Sequence, residues 1–62
     1  MKTLIEYIDN GYVGDVAARL TQSIQRIIDK RGGIVAVSMY PCDIDDNDWW
    51  AAIITYQVFD DN

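Results

Sequence analysis

The sequence has no histidine, one cysteine and one proline, and five basic residues stand against ten acidic ones. Each shortage closes a class of function. Without histidine the usual zinc ligand sets fail, and the commonest general base is missing. Cys42 alone forms no internal disulfide, so a reducing compartment is expected: the cytoplasm of a bacterium or a phage-infected cell. A formal charge of −5 and a pI near 4.1 argue against direct binding to a nucleic-acid backbone or an anionic membrane. Long apolar runs are missing too. Glu6 and Asp9 break up the opening MKTLIEYIDN, which reads neither as a secretory signal nor as a membrane span of about 20 apolar residues.

What remains is a 62-residue chain, half of it hydrophobic, expected to fold as one small domain over residues 1–62. A chain this short buries only roughly 60% of its unfolded surface, and such domains usually add a disulfide, a metal or a partner subunit. With the first two disfavoured, self-association is the expected reinforcement.

Four elements can be read along the chain. Thr3 to Ile8 is β-rich and is followed by the turn signal Asp9-Asn10-Gly11. Val13, Val16, Ala17, Leu20, Ile24, Ile27 and Ile28 then recur at three and four, the stripe of an amphipathic helix. Asp15 and Arg19 stand at i, i+4 on its polar side. Gly32-Gly33 supplies a left-handed stop, while the N-cap is Asp9, Asn10 or Asp15. Ile34 to Tyr40 reads as a second strand ended by Pro41, and Trp49 to Phe59 as a longer third. The expected fold is α+β: a β-α-β-β domain whose three-stranded antiparallel sheet has the third strand central and one helix on one face.

One helix covers one face. Trp50, Ala52, Ile54, Tyr56 and Val58, with Val35, Val37 and Met39, are assigned to the helix side. The open face then takes Trp49, Ala51, Ile53, Thr55 and Gln57 beside Ile34, Ala36, Ser38 and Tyr40. The first strand adds either Leu4, Glu6 and Ile8 or Ile5 and Tyr7 to that open face, and Glu6 suggests the first. Such a patch marks an interaction site, and a homo-oligomer, preferably a dimer, is expected through Ile34, Ala36, Tyr40, Trp49, Ala51 and Ile53.

Between the last two strands lies PCDIDDNDWW, with Asp43, Asp45, Asp46 and Asp48 followed by Trp49 and Trp50. Asp43, Asp45 and Asn47 alternate as the first ligands of an EF-hand do, but Asp48 and Ile54 fill the places of the required glycine and glutamate. No metal or cofactor is therefore expected. The stretch reads as a hairpin loop, and beyond that as an acidic docking surface. Its four aspartates attract a basic partner surface, and the two tryptophans supply anchors. Asp60 and Asp61 are expected to form a separate negative patch. Catalysis has little support: Ser23 and Ser38 have no evident base, and Cys42 stands among carboxylates, a poor setting for a reactive thiolate.

The run LTQSIQRIIDKRGGIVAVSMY, then a polar loop, then WWAAIITYQV, resembles the small acidic sporulation-protein family of Bacilli, whose relatives also occur as short phage reading frames. The β-α-β-β order is similar to that of the dodecins, flavin-sequestering proteins that assemble into a hollow shell. Dodecins stack flavin on a tryptophan in the strand after the helix. Ile34 to Tyr40 contains none, so no ligand residue carries over. The reading that results is a non-enzymatic, homo-oligomeric interaction protein that blocks or regulates another protein, as a phage-type inhibitor of a host function does. The alternative is a dodecin-type oligomer that sequesters a small molecule.

Overall fold

A computed structural model describes residues 1–45 and 47–59. The elements are β1 (Lys2–Tyr12), α1 (Val13–Asp29), β2 (Gly33–Pro41) and β3 (Trp49–Val58). Both outer strands pair antiparallel to β3, in the order β1-β3-β2, and α1 lies across one face. This is the expected α+β architecture with the third strand in the middle. Among the described residues no helix is long and apolar enough to cross a membrane.

The core is slender. Val16, Leu20 and Ile27 from the helix meet Ile8, Ala52 and Ile54 from the sheet, with Ile24, Ile34, Met39 and Tyr56 packed around them. The 3–4 spacing in the helix and the alternation in β3 therefore point at each other, as the sequence suggests.

β1 runs four residues further than its sequence signal, to Tyr12. Asp9-Asn10-Gly11 is not a turn. Ile8 pairs with Ala52 and Gly11 with Trp50, so β1 takes three steps against two on β3 and inserts a bulge. Arg19 reaches back from the helix and donates to the Asp9 carbonyl at 2.9 Å. Because the strand runs directly into α1, none of the three expected caps is used. Tyr12 is the N-cap residue and contributes no side-chain bond. The first helical amide, Val13 N–H, donates instead to the Asp48 carbonyl at 2.7 Å, so a loop distant in sequence satisfies a donor that helices usually satisfy locally.

The helix ends in a Schellman arrangement. Arg31 N–H donates to the Ile28 carbonyl (2.9 Å) and Gly32 N–H to the Ile27 carbonyl (2.8 Å). The left-handed residue is Arg31, at φ 64°, not a glycine. Gly32 is needed for space: a Cβ there would sit 2.7 Å from Ile27 Cγ2.

Two face assignments change. On β2, Ile34 pairs with Tyr56 and Ala36 with Thr55, two steps against one. The bulge at Val35 breaks the period of two, so Ile34 turns to the helix side and joins the core, while Ala36, Ser38 and Tyr40 keep the open side. Ile34 is thus removed from the expected oligomer face, and Val35 is left exposed at the bulge. On β1, Leu4, Glu6 and Ile8 share register with Tyr56, Ile54 and Ala52 on the helix side, which leaves Ile5 and Tyr7 on the open face. Glu6 is tolerated beneath the helix because Arg26 of α1 pairs with it.

Candidate interaction site

The loop between β2 and β3 is held by hydrogen bonds at several points. Cys42 N–H donates to the Trp49 carbonyl (2.8 Å) and closes its base. Asp45 N–H donates to Asp43 Oδ1 (2.9 Å), a local turn of the kind aspartate favours. Trp50 Nε1–H donates to the Asn47 carbonyl (2.6 Å), and Asp48 accepts from the first turn of α1. The loop is therefore fixed to both β3 and the helix, and its exposed Asp43, Asp45 and Asp48 project from a shaped base. Asp46, the fourth expected carboxylate, lies outside the described residues, as do Asp60 and Asp61. Among the described residues no three acidic or sulfur side chains group so as to hold a metal ion.

Trp49 and Trp50 are adjacent in sequence and point to opposite sides of the sheet. Trp49 faces the open side and packs edge-to-face on Tyr12, centroids 5.3 Å apart and planes at 77°. Trp50 shares the helix side with Gly11 and Pro41. Both are half-buried, and both anchor the loop from within. The outward anchor is Ile44, 98% exposed between Asp43 and Asp45. Ile44 is not among the expected anchors. Its signal was there: an isoleucine in the middle of an acidic run cannot be a core residue of either flanking strand.

The open sheet face brings together Ala36, Tyr40, Trp49, Ala51 and Ile53, as expected, and adds Ile5, Tyr7 and Tyr12 from β1. Ala51 is fully buried although it points away from the helix. Tyr7 and Tyr40 reach across β3 and hydrogen-bond through their hydroxyls, which raises the Tyr40 phenol above its ordinary pKa.

A third feature is a groove of about 410 Å³ between the edge of β1 and the helix, lined by Glu6, Asp9, Arg19, Gln22, Ser23 and Arg26 among others. Hydrogen bonds from the Ser23 hydroxyl and then Arg26 hold the Glu6 carboxyl below the usual glutamate range, and burial opposes them only in part. Its two arginines are engaged, Arg19 by a carbonyl and Arg26 by Glu6. The groove is a clasp between helix and sheet.

No protein-family model, no curated protein and no solved structure matches the chain. What the chain does is therefore read from its own residues.

Proposed function

We propose that this chain is a non-enzymatic binding protein that docks its β2–β3 loop onto a basic surface of another protein and regulates that protein by occupying the surface. The observation that carries this reading is Ile44, almost wholly exposed at the centre of an acidic loop whose backbone is fixed by hydrogen bonds. Exposed carboxylates steer a basic partner and speed encounter. An apolar side chain between them supplies a contact that water cannot replace. Because Cys42, Asp45, Asn47 and Asp48 are already held by hydrogen bonds, less ordering cost remains at binding. A basic surface so covered loses its usual polyanionic ligand, which is how an acidic binder of this kind inhibits.

The test is affinity capture from bacterial lysate at low and raised salt, with the wild type, Ile44→Ala and the double variant D43N/D45N as parallel baits. The expected result is a protein retained by the wild type, lost with salt, and held about 10-fold more weakly by each variant. Retention of the same proteins by all three baits would overturn the proposal.

A further inference from the structure

The open face of the sheet has a property that its hydrophobicity alone does not convey. The chain carries ten acidic and five basic residues, yet among the described residues no ladder position on this face is charged. Ile5 is 71% exposed, Tyr12 60% and Tyr7 53%, with Tyr40, Trp49 and Ile53 half-buried beside them. Small residues, Ala36, Ser38 and Ala51, lie between the rings, so the surface is broad and shallow.

Two further observations agree. The chain exposes 4546 Å², whereas a compact monomer of its 7.1 kDa mass exposes roughly 4,100 Å². Its radius of gyration is 13.0 Å, against about 11 Å for a compact domain of this length. Its surplus exposed surface, on the order of 450 Å², is close to the footprint of three ten-residue strands, roughly 33 by 14 Å. Two such faces in contact hide on the order of 900 Å², the size of a weak, concentration-dependent interface.

The absence of charge identifies the occupant. A basic partner would be met by carboxylates, and this face offers none. Two copies of a chain with net charge −5 repel, and they approach at least cost where neither presents a charge. We propose that a second copy of the chain seats on this face. The product is a two-fold symmetric, four-layer dimer, helix–sheet–sheet–helix, with its inner sheets packed about 10 Å apart at roughly −30°. The inference is independent of the loop's role, since none of Asp43, Asp45 and Asp48 holds a ladder position on this face.

The experiment is light scattering behind gel filtration at low and high protein concentration, across a salt series. The expected species has twice the 7.1 kDa chain mass, and salt strengthens it by screening the like charges of the two copies. Loop-mediated capture responds to salt in the opposite sense, so the two proposals fail separately. Ile5→Lys and Thr55→Lys are expected to give monomers with the far-ultraviolet circular dichroism of the wild type. In case neither variant folds, isotope-filtered NMR of mixed labelled and unlabelled wild type is expected to show contacts between subunits from the Ile5 and Ile53 methyls to tyrosine rings. A monomer at high concentration overturns the proposal. So does a dimer whose contacts between subunits come from Val35 and Val37 of the β2 edge.

Discussion

At the scale of single residues, the helix terminus divides one task between two neighbours. Arg31 holds the left-handed backbone, where a residue with a side chain costs about 1 kcal/mol or more. Arg31→Gly is expected to stabilise the fold by roughly 0.5–1 kcal/mol after the added freedom of the unfolded chain is counted, visible as a rise of a few degrees in Tm. Gly32→Ala goes the other way, because its Cβ meets Ile27 Cγ2 at 2.7 Å and the Ile27 carbonyl at 3.1 Å. A loss of about 1–3 kcal/mol is expected in denaturant titration. The glycine pair was legible as a stop signal. Which residue turns and which makes room was not, since that depends on where the last helical carbonyls find donors. The placement of Glu6 depends likewise on a distant partner. A carboxylate looked like a mark of the open face, and nothing local to β1 announced the arginine that arrives 20 residues later. Since its folded-state pKa is depressed, Glu6 contributes stability above its unfolded value and loses it as the pH falls through the folded one. The stability difference between wild type and Glu6→Gln is therefore expected in full at pH 6 and to shrink as the pH falls below the ordinary glutamate value, as read from denaturant midpoints.

At the scale of elements, β3 carries the fold. Both other strands pair only with it, and Ile54 at its centre is fully buried. Ile54→Ala is expected to cost about 2–5 kcal/mol. Domains this small seldom have more than about 3–5 kcal/mol in total, so circular dichroism should show this variant largely unfolded at 25 °C. The identity and order of the four elements were readable because each has a clean period: two in β3, three and four in α1. Strand faces were readable only where the ladder is unbroken. Asp9-Asn10-Gly11 has turn chemistry but serves as a bulge, and the Val35 bulge has no composition that marks it. A single inserted residue exchanges the faces of everything beyond it, so Ile34 lies on the helix side while Ala36, Ser38 and Tyr40 keep the open side that the period of two assigns them. The loop was legible as acidic and as a hairpin connection. The opposed directions of Trp49 and Trp50 follow from pleating alone, but the exposure of Ile44 required the loop's hydrogen bonds to be seen.

At the scale of the whole molecule, the chain is elongated, 47 Å long and 13 Å across its thinnest dimension, and among the described residues its charge stays off the ladder positions of the open sheet face. Net charge falls to zero near pH 4.1, where nothing opposes contact between neutral surfaces. Self-association is expected to be greatest there, and turbidity across a pH series would show it. The strand order has one more consequence, and it concerns birth more than function. β1 and β2 each depend on a strand translated after them. From the completion of β1 at Tyr12 to the end of β3 at Val58, a ribosome working at 5–20 residues per second takes roughly 2–9 s. Through that interval the nascent chain has a helix to form but no sheet, and the uncharged run from Ile34 to Tyr40 waits without its partner. A factor that binds extended apolar segments co-translationally has its opportunity then, and a message broken before the codon for Trp49 yields a peptide with no native strand pairing to reach.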